Sequence, residues 1–359
     1  MRPCILAAIF LEFIWRNVLR MTTYAFELSG EHETLPRSEA LALVEIFSSG
    51  FRELAFLDQC LIVEAENLDV QLLGRRLAMT HRIIEVLAIS DANLEALAQS
   101  VSLLDLPRKK YLIRARRIKD AAPAADAVEH EVGRILFQSG YRADLKRPEM
   151  VLRAVITTGK IVLGLEAART ERGSFEARRP HLKPFFHPGV LMPRMARSLI
   201  NLTQVRAGEI LLDPFAGTCG ILIEACLIGI QGLGVEVQAR LVKGALCNLQ
   251  SLDCSLLLGD AKRLPLQNSS IDTAVLDTPY GRSAKILAKS KELLLHESLS
   301  ELFRVIKPGG RMVIVADSSL DALLANAGFN IVQKHTDRVH GSLTRQIFLC
   351  QKASPHSAL

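Results

Sequence analysis

Residues 209–220, with the sequence EILLDPFAGTCG, decide the fold: a short apolar run ends at Asp213, and a loop with glycines at 217 and 220 follows it. An apolar run bounded by a turn signal predicts a buried strand, and residues 220–230 have the apolar spacing of a helix. Further strand-like runs follow at 232–237, 255–259, 272–277 and 311–316, with helix-like runs at 238–250 and 291–306. This alternation predicts a Rossmann-like α/β domain with a mostly parallel sheet.

The remaining segments complete a two-part organisation. Strand-like runs at 330–338 and 344–350 predict a terminal antiparallel hairpin, which would bring the sheet to seven strands. Residues 21–168 mix short strands and helices in no regular order, which predicts an α+β region. Residues 169–186 are rich in Arg, Pro and Gly and lack periodicity, so we expect a linker there, leading to a domain at 187–352.

The N-terminus superficially resembles a targeting segment, because residues 3–15 are apolar and follow Arg2. Glu12 interrupts the run, however, and no small-residue cleavage site follows it. The run is also too short to span a bilayer. We expect residues 1–20 to be an extension and translation to start at Met21.

Composition limits the class of protein. Hydrophobic residues make up 49% and charged residues 23% of the chain, which is typical of globular domains and excludes long disorder. A net charge of +6 is compatible with a nucleic-acid partner without requiring one. The seven cysteines form no Cys-x-x-Cys pair and the nine histidines no metal-ligand grouping. We therefore expect reduced, mostly buried thiols and no metal site in a cytoplasmic, monomeric protein without a membrane span.

Three acidic residues follow successive predicted strands: Asp213, Glu236 and Asp260. In open α/β sheets, ligands bind beyond the carboxyl ends of the strands, so these acids should meet at one crevice. Asp213 suits a ligand that carries an ammonium group. Glu236 lies 23 residues later, where a carboxylate can accept both ribose hydroxyls of a nucleoside, and Asp260 is placed to meet an adenine amino group.

The run Asp277-Thr-Pro-Tyr280 follows the fourth strand and resembles the Asp/Asn-Pro-Pro-Tyr element of amino-methyltransferases. A base amino group is a poor nucleophile, because its lone pair is delocalised into the ring. A carboxylate and a backbone carbonyl that accept its two hydrogens would polarise and orient it, and a tyrosine face can stack on a flipped base. Thr278 replaces the first proline but keeps the carbonyl, so we expect activity with less rigid positioning.

Longer stretches extend the resemblance. The segment His187-Pro-Gly-Val-Leu-Met-Pro-Arg-Met-Ala-Arg197, then Asn201-Leu, DPFAGTCGILIEA, DTPYGRS and VHGSLTR at 339–345 together resemble the archaeal tRNA (guanine-10-N2)-methyltransferase and dimethyltransferase family. The resemblance is sharp over residues 178–350 and looser over 21–165. There it implies a THUMP RNA-binding domain and a small preceding subdomain. For the second half it implies a class I methyltransferase that uses S-adenosyl-L-methionine and methylates the guanine-10 amino group of tRNA once and then twice. It also implies that the methionine end of the cofactor lies near residues 187–193 and the Asp213 loop, and that residues 277–280 hold the target base.

The resemblance and the residue patterns together assign a site. Candidate catalytic residues are Asp277, Thr278, Pro279 and Tyr280. Candidate cofactor-binding residues are His187, Pro188, Asp213, Pro214, Phe215, Ala216, Gly217, Thr218, Gly220, Glu236, Asp260 and Ala261. Two other functions stay open: amino-group methylation of ribosomal RNA or DNA adenine, and RNA binding without catalysis at a decayed site.

Residues 108–119 (RKKYLIRARRIK) carry seven positive side chains and no acid. Such a strip can track a phosphate backbone, although a solvated strand edge is the alternative interpretation. Candidate RNA-binding residues, including two from the expected linker, are Arg108, Lys109, Lys110, Arg114, Arg116, Arg117, Arg178 and Arg179.

Overall fold

A computed structural model describes residues 21–250, 252–279, 291–340 and 343–353 of the 359-residue chain. The expected extension at residues 1–20 therefore lies outside the described residues. Within these ranges, no helix combines the length and the apolar character needed to cross a membrane.

Strands and helices mix irregularly up to Arg169. In chain order they are β1 (Met21–Leu28), α1 (Leu35–Phe47), β2 (Gly50–Leu57), β3 (Cys60–Glu66), α2 (Val70–Arg76), β4 (Thr80–Asp91), α3 (Leu94–Ser102), β5 (Tyr111–Arg117), α4 (Ala125–Gln138), β6 (Met150–Ile156) and β7 (Lys160–Arg169). The strands form one sheet in the order β2-β3-β1-β4-β7-β6-β5. Its strand pairs are antiparallel except for the β5–β6 pair.

Beyond Arg169, strands and helices alternate. They are α5 (Arg172–Glu176), a 3₁₀ turn (Pro180–Leu182), α6 (Pro193–Leu202), β8 (Ile210–Asp213), α7 (Gly220–Cys226), β9 (Gln231–Glu236), α8 (Ala239–Asn248), β10 (Cys254–Leu258), β11 (Ile271–Asp277), α9 (Lys291–Val305), β12 (Ile306–Ala316), α10 (Asp321–Asn326), β13 (Phe329–His340) and β14 (Leu343–Lys352). The described strands form a seven-stranded sheet in the order β10-β9-β8-β11-β12-β14-β13. The pairs from β10 to β12 are parallel and the two pairs that include β14 are antiparallel, which confirms the predicted fold.

The central strands of this second sheet are buried on both faces, which explains the apolar runs at 210–212, 274–276 and 312–316. Leu211 points into a core cluster with residues of α6 and α7. Its neighbour Leu212 points into a separate cluster with residues of α9 and α10. Successive strand residues therefore contact helices on opposite faces of the sheet, as in a doubly wound fold.

The chain divides into two compact units that do not follow a single cut in the sequence. One unit comprises the residues up to Gly30 together with Val44–Arg75 and Thr80–Thr170. The other comprises Glu31–Leu43, Arg76–Met79 and the chain from Glu171 onward, which we call the sheet-II unit. The sheet-II unit thus contains two short segments from the first half of the sequence. It also contains the segment expected to be a linker, where Phe175 is buried.

Buried Glu39 links the two short segments to each other and to α6 inside the sheet-II unit. Its side chain is 0% exposed. The carboxylate accepts hydrogen bonds from the backbone N–H groups of Ala78 (3.0 Å) and Met79 (2.8 Å), and from Asn201 Nδ2 of α6 (2.7 Å). Asn201 in turn accepts a bond from Arg76 Nε at 3.0 Å. Burial raises the pKa of Glu39, against these hydrogen bonds, which lower it.

Two cysteines correct the expectation of reduced thiols. Cys226, at the end of α7, and Cys254, at the start of β10, form a disulfide whose Cα atoms are 6.5 Å apart. They lie 28 residues apart in sequence, so the pairing arises from the crossover between neighbouring strands and no local spacing reveals it. The thiols of Cys60, Cys219, Cys247 and Cys350 are free, and all but that of Cys247 are buried.

Substituting Glu39→Ala should strongly destabilise the sheet-II unit. The change leaves two buried backbone N–H groups and one N–H of the Asn201 amide without their acceptor, while the amide keeps its bond to Arg76 O. Each lost acceptor costs about 1–3 kcal/mol. Thermal and urea unfolding should therefore show a free energy of unfolding that is lower by roughly 3 kcal/mol or more. Glu33→Ala is the matched control, because Glu33 is an exposed residue of the same segment of the sheet-II unit, Glu31–Leu43. Equal unfolding midpoints for the two variants would contradict this role of Glu39.

Candidate active site

A cleft of about 320 Å³ opens at the carboxyl ends of the parallel strands in the sheet-II unit. Asp213 ends β8 and Glu236 ends the neighbouring β9. Asp277 ends β11 on the other side of β8, and Asp260 lies just beyond β10. All four acids line the cleft, because parallel strands end at the same edge of the sheet.

The cleft brings together all of the candidate cofactor-binding residues, along with Asp277, Thr278 and Pro279. Tyr280 lies outside the described residues. The cleft is also lined by Gly189, Val190 and Leu191, which lie in the segment 187–193 that the resemblance places near the methionine end of the cofactor. Other lining residues were not predicted: Ile221, Val237, Gln238, Leu241, Lys262 and Leu294. Most of these are apolar and occur in runs that read as ordinary core. Among the described residues, no group of three or more His, Cys, Asp or Glu side chains could hold a metal ion.

The loop after β8 turns sharply so that its backbone lines the cleft. Ala216 N–H donates to Val235 O of the next strand at 3.1 Å. Gly217 has a φ of 52° and Cys219 a φ of 63°, both in the left-handed region that favours glycine. Gly220 serves close packing instead, because a Cβ there would lie 3.1 Å from Val190 Cγ1.

Asp213 is a buried acid surrounded by other acids. Its side chain is 1% exposed, and Oδ1 accepts a bond from Phe215 N–H at 3.1 Å. Burial raises the pKa of Asp213 to about 8, and the charges of Asp277 and Glu236 add to this increase against the Phe215 hydrogen bond. Asp213 therefore holds its proton near neutral pH and can release it when a cation binds beside it.

Glu236 and Asp260 shape the neighbouring part of the cleft. Glu236 is 7% exposed, and its carboxylate accepts bonds from Gly217 N–H (3.0 Å) and Gln238 N–H (2.9 Å). It therefore holds the loop after β8 in place and leaves other lone pairs for a ligand. Asp260 is partly exposed and accepts a bond from Lys262 N–H at 3.0 Å.

Thr278 is more firmly held than the sequence suggests. It is 1% exposed, and both its N–H (3.0 Å) and its Oγ1 (2.9 Å) donate to Val315 O on β12. A proline here could make neither bond. These two hydrogen bonds restrain the backbone between Asp277 and Pro279. The expectation of less rigid positioning than with proline stays a prediction.

Segment 187–191 borders the cleft opposite the strand ends. His187 Nδ1 lies 2.9 Å from Pro188 O, and Gly189 has a positive φ of 88°. Helix α6 then begins with Pro193 in its first turn. Proline is well tolerated there, because the N–H that it lacks would have no partner within the helix.

Most candidate RNA-binding residues of the first unit have protein partners. Arg108 lies over the Tyr141 ring (4.4 Å to its centroid), Lys110 lies 3.4 Å from Asp144, and Arg114 lies 3.5 Å from Glu129. Lys109 and Arg117 are exposed, and no side-chain ion pair of theirs is seen within the described residues.

Arg116 belongs to a buried ion cluster. Its Nη1 lies 2.8 Å from Glu27, which is 1% exposed and also bound by Arg153 at 2.7 Å. Burial opposes the ionisation of Glu27, but the bonds to Arg153 and Arg116 hold the pKa of Glu27 below its ordinary value. Arg116 thus compensates a buried charge, which removes it from the residues free to meet a phosphate.

The two arginines of the expected linker are also engaged. Arg178 donates to both carboxylate oxygens of buried Glu224, at 2.7 and 3.2 Å. Arg179 pairs with Glu176 on α5. The charge of Arg178 therefore neutralises a buried carboxylate inside the sheet-II unit. Composition alone cannot distinguish this role from contact with RNA.

Comparison with known proteins identifies relatives of the whole chain. The family described as UPF0020: RMKL-like, methyltransferase domain matches residues 180–347. The tRNA (guanine(10)-N2)-dimethyltransferase of Methanothermobacter thermautotrophicus is 31% identical over 331 residues, covering 90% of this chain and 98% of that protein. The enzyme of the same name from Methanocaldococcus jannaschii is 28% identical, covering 91% and 99%.

A solved structure has the same fold. The crystal structure of TrmN from Thermus thermophilus aligns with a TM-score of 0.53 and 22% identity, covering 92% of this chain and 99% of that chain. At this level of identity the likeness shows the fold alone.

Substituting Glu236→Gln should weaken adenosine-nucleoside binding in this cleft. The amide has one acceptor oxygen in place of two, so either the bond from Gly217 N–H or that from Gln238 N–H is lost, together with the charge. A charge-assisted hydrogen bond contributes about 1.5–3 kcal/mol, which corresponds to a Kd roughly 10- to 100-fold higher. Calorimetric titration with S-adenosylhomocysteine measures the change. Glu292→Gln, at an exposed position of α9, is the control, and an unchanged Kd in Glu236→Gln would remove Glu236 from the binding site.

Proposed function

Because the chain belongs to the tRNA (guanine(10)-N2)-dimethyltransferase family, we propose that it methylates the exocyclic N2 of guanine 10 in tRNA, using S-adenosylmethionine. The observation that carries the proposal is the meeting of Asp213, Glu236 and Asp260 with the Asp277–Pro279 element in one cleft. The cleft thus combines three acids suited to binding a nucleoside with an element suited to binding an amino group.

The residues of the cleft fit the cofactor. We propose that Asp213 faces the ammonium group of its methionine portion, Glu236 the ribose hydroxyls and Asp260 the adenine amino group. The raised pKa of Asp213 supports this assignment, since a buried carboxyl among acids gains the most from a nearby cation. His187 and Pro188, with the backbone of residues 214–220 and Ala261, complete the enclosure. When bound, S-adenosylmethionine supplies an electrophilic methyl group on a sulfonium.

Asp277 and Thr278 orient the nucleophile. We propose that the Asp277 carboxylate and the Thr278 carbonyl accept the two hydrogens of the guanine amino group, which directs the nitrogen lone pair at the methyl carbon. The proton released from nitrogen passes to Asp277 and then to water. After one methylation a single hydrogen remains on N2, and one of the two acceptors suffices to hold it. This arrangement supports a second transfer, to dimethylguanine.

The first unit would hold the RNA. We propose that it is the THUMP-type binding region and that Lys109, Arg114 and Arg117, which are exposed, contact phosphates. Arg108 and Lys110 can add to this surface, because their present contacts are exposed and weak. A monomer in the cytoplasm, where tRNA is processed, fits this function.

Label transfer from radiolabelled S-adenosylmethionine to tRNA transcripts tests the proposal. The transcripts carry either G10 or A10 and are otherwise identical. Label should enter the G10 transcript alone, and nucleoside analysis should yield N2-methylguanosine followed by N2,N2-dimethylguanosine. Equal labelling of both transcripts would overturn the choice of target, and label on A10 alone would favour adenine methylation. Binding of tRNA without label would indicate a decayed site.

Asp277→Ala should separate catalysis from cofactor binding. Without the carboxylate, the amino group loses an acceptor and a proton route, so single-turnover methyl transfer should fall by a factor of roughly 10²–10⁴. The Kd for S-adenosylhomocysteine should stay within about threefold, because Asp213 and Glu236 are intact. Loss of cofactor binding in parallel with transfer would contradict the assignment of Asp277 to the target base.

A further inference from the structure

A buried group of cations lies beside the cleft, away from the strand-end acids. Glu224 on α7 is 1% exposed and binds Arg178 (2.7 and 3.2 Å) and Arg197 (2.8 Å). Lys183 is partly buried nearby, where the charges of Glu224 and Arg178 both act on its ammonium group. Two arginines bind the one carboxylate and Lys183 lies near it, so the group has an excess of positive charge.

Lys183 is the member of this group without a fixed partner. Both oxygens of Glu224 are bonded to arginines, and within the described residues the Lys183 ammonium makes no hydrogen bond or ion pair. Burial lowers the pKa of Lys183, and Glu224 counteracts this. A partly buried ammonium without a counter-ion destabilises the protein, so an anion bound beside it would be stabilising.

Geometry brings that ammonium to the edge of the cleft. Lys183 Nζ lies 3.8 Å from the position that a Cβ on Gly220 would occupy, and Val190 Cγ1 lies 3.1 Å from the same point. Gly220 and Val190 both line the cleft. Because Gly220 has no side chain, nothing larger than hydrogen projects from it toward Lys183.

Charge complementarity identifies the anion. The acids Asp213, Glu236, Asp260 and Asp277 line the cleft and would repel a carboxylate. The methionine portion of the cofactor carries a carboxylate next to its ammonium group, so the two groups require opposite charges within a few ångströms. We propose that Lys183 binds the α-carboxylate of the cofactor's methionine portion. This inference rests on the proposed function, because it takes S-adenosylmethionine as the ligand.

Ligands that differ in the carboxylate test the inference. S-adenosylhomocysteine has it, whereas 5′-methylthioadenosine lacks the whole amino-acid end. Decarboxylated S-adenosylmethionine lacks only the carboxylate and keeps the ammonium. Lys183→Met should weaken binding of S-adenosylhomocysteine about 10- to 100-fold and change the other two Kd values less than twofold. Lys183→Arg should restore most of the affinity, and Lys243→Met, at an exposed position of α8, should have no effect.

The outcomes distinguish this inference from the proposed function. An unchanged Kd for S-adenosylhomocysteine in Lys183→Met overturns the role of Lys183 while the methyltransferase assignment stands. Equal weakening of all three ligands, with a lowered melting temperature, would show a role in folding and likewise overturn it. If the wild-type protein bound none of the three ligands, the proposed function would fail, and this inference with it.

Discussion

The structure depends on one electrostatic constraint: a parallel sheet brings the carboxyl ends of neighbouring strands to one edge, and three of those ends carry acids. Asp213 lies on the central strand between Glu236 and Asp277 and is almost completely buried. Its pKa rises to about 8, because burial and two neighbouring negative charges both oppose its ionisation. A cation in the cleft would stabilise the ionised form of Asp213. The charges of the site therefore favour a positively charged ligand, whatever contacts the rest of that ligand makes.

Charge changes sign at the edge of the same cleft. Acids lie at the strand ends, whereas Lys183 lies close to Gly220 and to the Arg178–Glu224–Arg197 group. With Asp213 and Lys183 in the roles proposed above, a ligand with adjacent positive and negative groups would be favoured in one orientation. Fixing that orientation also fixes the direction in which a methyl group would face the Asp277–Pro279 element. The N–H and Oγ1 of Thr278 both donate to Val315 O and hold the residue whose carbonyl is proposed to accept the amino group.

Local sequence was enough to predict the sheet-II fold and the acids and glycine loop of its cleft, because strand ends, glycine turns and acidic residues at strand ends are local signals. Local sequence could not predict contacts between distant segments of the chain. Nothing in residues 31–43 shows that Glu39 packs on Asn201, and nothing near Cys226 points to Cys254. Strand β2 lies at the edge of the first sheet and carries charged residues, so its sequence alone is a weak strand signal. Positive charge alone could not distinguish Arg116 and Arg178, which neutralise buried acids, from exposed Arg117.

Proton release on cofactor binding tests the central electrostatic claim most directly. Calorimetric titrations with S-adenosylhomocysteine at pH 7, in buffers with different enthalpies of ionisation, count the protons exchanged. With a pKa near 8 Asp213 is mostly protonated at pH 7, so binding of the ammonium group should release close to one proton. The count should fall at pH 9, where Asp213 is already ionised, and should approach zero in Asp213→Asn. No proton release by the wild-type protein, or the same release by Asp213→Asn, would contradict the account.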